Sequence, residues 1–139
     1  MSVKNESSAR QMLRDSAIDV KIQASLVTDA QRRTIYSNAE FSRVTGYSAS
    51  DMLGRNCSLL QGPNTDQNTI AELRRTLDAG LIYRGLLLNY RRDGSTFWND
   101  LTVSPIRDAD GTIVNFVSVQ RDATERVERE RAGRMPPVE

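Results

Sequence analysis

Residues 81–121 read LIYRGLLLNYRRDGSTFWNDLTVSPIRDADGTIVNFVSVQR, and their pattern is typical of paired strands. Two loops rich in Asp and Gly, residues 93–94 and 108–111, separate three extended runs: Leu81–Arg92, Ser95–Arg107 and Thr112–Arg121. Asp-Gly steps between extended runs are strong hairpin signals. The sequence therefore predicts an antiparallel meander of three strands.

Two shorter strands precede the meander. Ile22–Thr28 and Thr34–Ser37 are extended runs joined by the polar residues 29–33, and they predict an opening hairpin. Together with the meander they make five strands. Because the strands are interrupted by helical segments, we expect an α+β domain with one five-stranded antiparallel sheet and short helices on one face.

Helix signals fill the segment between the hairpin and the meander. Capping-box spacing predicts two or three short helices within residues 38–62, started by Ser37 with Glu40 and Ser48 with Asp51, and ended by Gly46 and Gly54. A longer helix is predicted to start at Thr65 or Asp66, to end at Gly80 and to carry three apolar residues on one face: Ile70, Leu73 and Leu77.

Both ends of the chain predict flanking helices. An apolar stripe at helical spacing marks residues 1–21: Ala9, Met12, Leu13, Ala17 and Val20. Residues 123–132 predict a charged helix that ends near Pro136-Pro137, with i,i+4 pairs Asp122/Arg126, Glu125/Arg129 and Glu130/Arg134. We therefore divide the chain into an N-terminal flanking helix (1–21), a core (22–122) and a C-terminal flanking helix with tail (123–139).

Composition excludes several classes of function. The 139 residues include 19 Lys and Arg against 18 Asp and Glu, so no strong field attracts nucleic acid or an anionic membrane. No apolar run is long enough to span a membrane and no signal peptide is evident, so we expect a cytoplasmic protein. Without His, and with Cys57 as the single cysteine, we expect no metal site, no disulfide and no enzymatic turnover.

Strand alternation places three primary amides on the inner face of the sheet: Asn89, Asn99 and Gln120. A buried amide left unpaired costs about 1–3 kcal/mol, so all three need partners. One interpretation is an amide network closed by backbone groups. The other is a flat heterocycle with carbonyl and imide groups along one edge, such as a pteridine or a flavin.

Cys57 lies in the segment Gly54-Arg55-Asn56-Cys57-Ser58-Leu59-Leu60-Gln61-Gly62-Pro63. A lone cysteine is usually a small buried hydrophobic residue. This segment, however, resembles the Gly-Arg-Asn-Cys-Arg-Phe-Leu-Gln-Gly-Pro signature of LOV domains, the flavin-binding, blue-light-sensing branch of the PAS superfamily. The similarity extends over about residues 22–124, through Asn89-Tyr90-Arg91, Phe97-Trp98-Asn99 and the strand Phe116–Gln120.

The resemblance implies a PAS/LOV fold and a bound flavin, usually FMN, that reacts reversibly through its C4a carbon with Cys57 under blue light. It implies that Asn89, Asn99 and Gln120 hold the polar edge of the ring, and that Gln120 changes partners after illumination. Asn56 and Gln61 would meet the ribityl chain, and Arg74 the phosphate. The implied ring pocket consists of Thr28, Leu60, Leu101, Val103 and Phe116.

Three residues depart from the family pattern. Ser58 replaces a second phosphate-binding arginine, Leu59 replaces phenylalanine, and Ser118 replaces glycine, adding a hydroxyl near the flavin. We expect weakened FMN retention or faster adduct decay, with riboflavin or FAD mixed into the bound flavin. Loop 29–33 is shorter than in plant members, so no flavin contact is assigned to it.

The outer face of the predicted sheet is apolar: Leu86, Leu88, Trp98, Val117 and Val119. Either the N-terminal helix covers this face or a second subunit does, and the resemblance favours a homodimer formed with the flanking helices. No effector fits outside residues 22–124, so we expect a short LOV protein of bacterial type that signals to an unknown downstream protein. The alternative is a PAS-type flavin or small-ligand redox sensor, or a dimerisation module, without photochemistry.

Overall fold

The computed structural model describes residues 7–9, 11 and 23–134 and contains one antiparallel five-stranded sheet. The strands are β1 (Ala24–Asp29), β2 (Thr34–Ser37), β3 (Tyr83–Tyr90), β4 (Thr96–Arg107) and β5 (Ile113–Asp122). Their order in the sheet is β2-β1-β5-β4-β3. The α+β prediction and the three-strand meander are confirmed.

Short helices connect the opening hairpin to the meander. They are α1 (Ala39–Thr45), α2 (Ala49–Met52), a single 3₁₀ turn (Cys57–Leu60) and α3 (Gln67–Asp78); α4 (Thr124–Arg134) follows the sheet. Asp66 caps α3, and Ser48 forms the predicted capping box with Asp51 at the start of α2. Of the predicted N-terminal helix, residues 7–9 and 11 are described and helical, whereas Met12, Leu13, Ala17 and Val20 lie outside the described residues.

The predicted cap of α1 at Ser37 is wrong. Asn38 is the N-cap, and its Oδ1 accepts hydrogen bonds from Phe41 N at 2.9 Å and Ser25 N at 3.0 Å. Its Nδ2 donates to the Gln23 carbonyl at 2.7 Å. One amide side chain therefore both starts the helix and fastens it to β1, because its oxygen accepts two hydrogen bonds while its NH₂ group donates a third.

Both bounds of β3 lie two residues inside the predicted ones, because the neighbouring turns take up the ends of the predicted strand. Gly80 adopts φ 73°, and Leu81 N donates to the Thr76 carbonyl at 3.0 Å, so the chain is still leaving α3 at Leu81. At the other end of β3, Arg92 N donates to the Thr45 carbonyl at 2.9 Å. β3 is therefore eight residues long.

Two separate apolar clusters lie between the helices and the inner face of the sheet. The first surrounds Phe41 and Phe97 and contains Ala24, Leu26, Val44, Met52 and Leu60. The second lies under α3 and contains Ile70, Leu77, Tyr83, Leu87, Leu101, Val103 and Phe116. Because the two clusters do not merge, apolar side chains fill the space between helices and sheet at both ends of the inner face, and a gap remains between the clusters.

The flanking helices cover much of the outer face. Ala9 is fully buried against Val27, Tyr36 and Val117. On the other side, α4 packs on β4 through buried Val127, and the Arg131 guanidinium lies 4.9 Å from the centroid of the Trp98 ring. The helices of one chain therefore cover part of the outer face, which the sequence analysis considered as a surface for a second subunit. Leu86 on this face remains 38% exposed.

The ion pairs of α4 follow the prediction in part. Arg129 and Glu125 pair at 3.5 Å, as expected from their i,i+4 spacing. The predicted Asp122/Arg126 pair is wrong, because Asp122 bonds Arg91 at 2.8 Å and Arg126 approaches Asp100 at 3.6 Å. Asp122 ends a strand rather than starting the helix, so helical spacing does not apply to it. The side chain of Arg134 lies outside the described residues.

None of the helices within residues 7–9, 11 and 23–134 has the length and apolar character needed to cross a membrane.

The buried cap of α1 should contribute more to stability than the exposed cap of α2. We expect Asn38→Ala to lower the free energy of unfolding by about 1–3 kcal/mol, because it leaves the buried Ser25 N without an acceptor. The control Ser48→Ala should cost about 1 kcal/mol. Urea unfolding followed by Trp98 fluorescence measures both, and equal losses would contradict the cross-linking role of Asn38.

Candidate functional site

The three predicted inner-face amides form a diagonal row across β3, β4 and β5. In the register of the sheet, Asn89 faces Phe97 and Gln120 faces Leu101, so each of these amides lies two positions away from Asn99 along β4. Diagonal neighbours on one face are within reach of long polar side chains. Asn89, Asn99 and Gln120 are all buried, and we call them the amide row.

Asn89 and Asn99 satisfy each other and the backbone. Asn99 Nδ2 donates to Asn89 Oδ1 at 2.9 Å, and Asn99 Oδ1 accepts from Arg121 N at 3.3 Å. Asn89 Nδ2 donates to the carbonyl of Leu88 at 3.2 Å. The network interpretation therefore accounts for these two residues.

Gln120 is not satisfied in the same way. Its Nε2 donates to Ser118 Oγ at 2.7 Å. Its Oε1 is buried and, with Ser37 Oγ, is one of two such side-chain atoms in the described part of the chain without a hydrogen-bond partner. An orphaned buried acceptor is costly, so this atom points to a donor that the described residues do not supply.

A cavity lies between the two apolar clusters, beside the amide row. Its volume is about 150 Å³. All the residues predicted for the site line it: Thr28, Asn56, Cys57, Ser58, Leu60, Gln61, Arg74, Asn89, Asn99, Leu101, Val103, Phe116, Ser118 and Gln120. The structure thus brings together side chains from four strands, α3 and the 3₁₀ turn.

The 3₁₀ turn carries Cys57 into the wall of the cavity. Asn56 starts this turn: its side-chain oxygen, Oδ1, accepts a hydrogen bond from Ser58 N at 2.8 Å and so already has one donor. Burial raises the pKa of the Cys57 thiol to about 12. Cys57 is therefore a protonated thiol at neutral pH and a poor nucleophile without further activation.

Close packing holds the segment that follows this turn. A Cβ atom on Gly62 would lie 2.4 Å from the Tyr90 ring, so the chain requires glycine there. The Tyr90 hydroxyl accepts from Asn64 N at 3.0 Å, and Thr65 Oγ1 donates to the carbonyl of Leu88 at 2.7 Å. The segment carrying Cys57 and Gln61 is thereby anchored to β3, the strand that carries Asn89.

The charged residues of the cavity wall are two arginines, Arg32 and Arg74, among the residues that the structure describes. Arg74 is exposed on α3, and its side chain makes no ion pair or hydrogen bond in that part of the chain. Its neighbour Arg75 is exposed and does not line the cavity. The site thus combines an amide row, a thiol and two cations.

The sequence does not predict Arg32 as a site residue, because it assigns no flavin contact to loop 29–33. Strand pairing places this loop at the end of β1 and β2 but does not say whether Arg32 or Arg33 turns toward the sheet. The sequence carries no signal that separates the two. Only the turn geometry directs Arg32 to the cavity and leaves Arg33 on Asp29 at 2.9 Å.

Comparisons with known proteins agree with this geometry. A family model described as a PAS domain matches residues 22–125. Phototropin-2 of rice (Oryza sativa subsp. japonica) is 41% identical over 132 residues, which cover 93% of this chain and 14% of the rice protein. The light state of the blue-light photoreceptor Aureochrome1 LOV has a TM-score of 0.74 and 38% identity, covering 82% of this chain and 92% of that chain. The chain is a LOV domain of the PAS superfamily.

A second solved Light-Oxygen-Voltage domain, one studied with a flavin analogue, is 34% identical to this LOV domain. Its TM-score is 0.73, and the match covers 91% of this chain and 96% of that chain. The LOV domain spans less than half the length of the first curated relatives that it matches. The predicted family is therefore confirmed.

The raised pKa predicts slow alkylation of Cys57 in darkness. At pH 8 we expect iodoacetamide to label the folded LOV domain roughly a hundredfold or more slowly than a free cysteine, because the thiolate fraction is that much smaller. Mass spectrometry reports the label unambiguously, since Cys57 is the single cysteine.

The pH dependence separates the protonation state from simple shielding. Because the thiol pKa is raised, the labelling rate should keep rising about tenfold per pH unit between pH 8 and 10, whereas a free cysteine levels off near its ordinary pKa. The same protein in urea is the control and should label like a free cysteine. A plateau below pH 9 in the folded protein would contradict the raised pKa.

Proposed function

We propose that this LOV domain is the sensing part of a blue-light photoreceptor that binds a flavin, with FMN as the main form. The main support for this proposal is the orphaned Oε1 of Gln120. It is buried beside a cavity whose wall also contains the Cys57 thiol. The family and the names of two relatives, a phototropin and a blue-light photoreceptor, support the same function.

The amide row fits the polar edge of a flavin ring. Amides both donate and accept, so they can match alternating carbonyl and imide groups. Asn89 and Asn99 would be held in place by their mutual hydrogen bond, which fixes their orientation before the flavin binds. Gln120 would find the missing donor on the ring and keep Ser118 as its second partner.

Apolar side chains would exclude water from both faces of the ring. Leu60 closes the cavity from the 3₁₀ turn, and Leu101, Val103 and Phe116 close it from the sheet. Ser58, Asn56 and Gln61 lie on the rim together with Arg74, where the ribityl chain and its phosphate would extend. The donor set therefore fits a flavin along its whole length.

Cys57 would supply the reactive sulfur. When bound, a flavin would supply blue-light absorption and an electrophilic C4a carbon, and Cys57 would supply the sulfur and its proton for a bond that reverses in darkness. Burial keeps the thiol protonated, so sulfur and proton are held together beside the ring. The chain contains no His that could remove this proton in darkness.

A covalent path connects Gln120 to the C-terminal helix. Gln120 lies two residues before the end of β5, and α4 begins at Thr124. Ala123 N donates to the Trp98 carbonyl at 2.8 Å, and Trp98 N donates to Thr124 Oγ1 at 2.9 Å. A change of partner at Gln120 would therefore act on the start of α4, which supports signalling through the flanking helices.

The proposal extends to the partners and the location of this protein. A homodimer through the outer face, a cytoplasmic location, an unknown downstream protein and the absence of turnover are part of the proposal. The burial of Ala9 against Val117 means that any such dimer would have to form beside the N-terminal helix or displace it. The exposed side chain of Leu86 lies on the part of the outer face that a partner could reach.

The photochemical role of Cys57 has a direct test. We expect the purified protein to be yellow, to lose its blue absorbance under blue light and to recover in darkness. Cys57→Ala should keep the colour and abolish the reversible bleaching, because the sulfur that forms the bond is absent. Absorbance spectra before and after illumination measure this.

Ser58→Ala is the matched control, since it removes a side-chain heteroatom one residue away, and it should still bleach. Bleaching that persists in Cys57→Ala would overturn the thiol mechanism. A yellow wild-type protein without any light response would favour the redox-sensor alternative. A protein that binds neither FMN nor riboflavin would overturn the flavin itself.

A further inference from the structure

The turn between β1 and β2 contains an arginine in an unfavourable backbone conformation. Arg32 has φ 66° and is the non-glycine residue with positive φ within the described part of the chain. Side chains with a Cβ atom rarely adopt this region, in which glycine or asparagine is favoured. The turn itself is closed by Asp29, whose Oδ1 accepts from Gln31 N and Arg33 N, both at 2.9 Å. Nothing in the turn requires an arginine.

The side chain of Arg32 extends toward the cavity rather than into solvent. Its guanidinium carbon lies 5.2 Å from the centroid of the Phe116 ring, and the side chain is only 26% exposed. Phe116 is one of the residues proposed to contact the flavin. A strained backbone that places a cation at a binding cavity is evidence for a role of that cation.

Arg32 and Arg74 reach the same end of the cavity. Arg32 Nη2 bonds Asp78 Oδ1 at 2.7 Å, and Asp78 lies one helical turn after Arg74 on α3. Residues four apart lie on the same face of a helix. The Arg32 guanidinium is therefore held beside the part of α3 that carries Arg74.

The ion pair with Asp78 does not use up the charge of Arg32. The Asp78 side chain is 72% exposed, so the pair is solvated and contributes little. A guanidinium has five N–H donors, and the bond to Asp78 leaves others available. Two arginines and one exposed carboxylate leave this end of the cavity net positive. An anionic group is the ligand chemistry that such an end favours.

We propose that Arg32 is a second phosphate-binding residue of the flavin pocket. With Arg74 it would hold the terminal phosphate of FMN. It would thereby replace the second phosphate-binding arginine, which the family signature has where this chain has Ser58. Asp78 would orient the guanidinium before the flavin arrives. This inference rests on the proposed flavin function, and it places the missing cation on a different element of the fold.

Riboflavin provides the discriminating probe, because it shares the ring and ribityl chain of FMN but lacks the phosphate. Dissociation constants of both flavins are measured in darkness on flavin-free protein by fluorescence quenching, so that no photochemistry is needed. Arg32→Gly suits the left-handed backbone and should not lower the thermal unfolding temperature of the flavin-free protein.

We expect Arg32→Gly to raise the dissociation constant of FMN about tenfold, as is usual for a partly exposed charge-assisted contact. The dissociation constant of riboflavin should stay unchanged. Arg33→Gln is the matched control: it removes an equal charge from the same turn, but Arg33 does not line the cavity, so both constants should stay unchanged. Adding Ser58→Arg to Arg32→Gly should restore the FMN affinity.

The possible failures are distinguishable. Equal weakening of FMN and riboflavin would show that Arg32 only packs on the ring and would overturn the phosphate role, as would no change in either. Failure of Ser58→Arg to restore FMN affinity would overturn the replacement of one cation by the other. If the wild-type protein binds neither flavin, the proposed function fails and this inference fails with it.

Discussion

The structure depends on three primary amides that must be satisfied in an apolar interior. Asn89, Asn99 and Gln120 are buried on the inner face of the sheet, with an apolar cluster at each end of the cavity beside them. Two of them are joined by a 2.9 Å hydrogen bond, and the third has a buried oxygen with no partner among the described residues. An unpaired buried oxygen costs about 1–3 kcal/mol. The cavity beside it leaves room for a group that could donate to it.

The other features of the site follow from keeping that cavity open. The helices and turns between β2 and β3 are tied to strands by side-chain hydrogen bonds, such as those of Asn38 to β1 and Thr65 to β3. These bonds hold the 3₁₀ turn at a distance from the sheet, and they place the Cys57 thiol in the wall of the cavity. Because the surroundings are apolar, the pKa of this thiol is raised, so it stays protonated until something in the cavity activates it.

The outer face connects the site to the ends of the chain. β5 carries Gln120 on its inner side and Val117 on its outer side, where Val117 packs against Ala9. At its end, Asp122 bonds Arg91 at 2.8 Å, and Arg91 Nε donates to the Val44 carbonyl of α1 at 3.0 Å. One strand thus borders the cavity, packs against the N-terminal helix and leads into α4, and Arg91 links its end to α1, so a rearrangement at Gln120 has short routes to the surface.

Much of the fold was readable from the sequence because the signals are local. Asp-Gly turns locate the meander, alternation sorts Phe97, Asn99 and Leu101 onto one face, and Asp66 marks the start of α3. The predictions were wrong where the hydrogen-bond or ion-pair partner of a residue is distant in sequence. Asn38 replaces Ser37 as a cap because it also bonds β1, and Asp122 pairs with Arg91 instead of Arg126.

The sequence by itself determined which chemistry the site holds: one thiol, three inner-face amides and Arg74, all of which line the cavity. The tertiary structure alone decided two further points. It left Gln120 Oε1 without a partner in the part of the chain that the structure describes, and it turned Arg32 into the cavity from a loop that has no recognisable binding motif. Local patterns specify residue types and faces, whereas hydrogen-bond satisfaction and the direction of a long side chain depend on neighbours that only folding brings together.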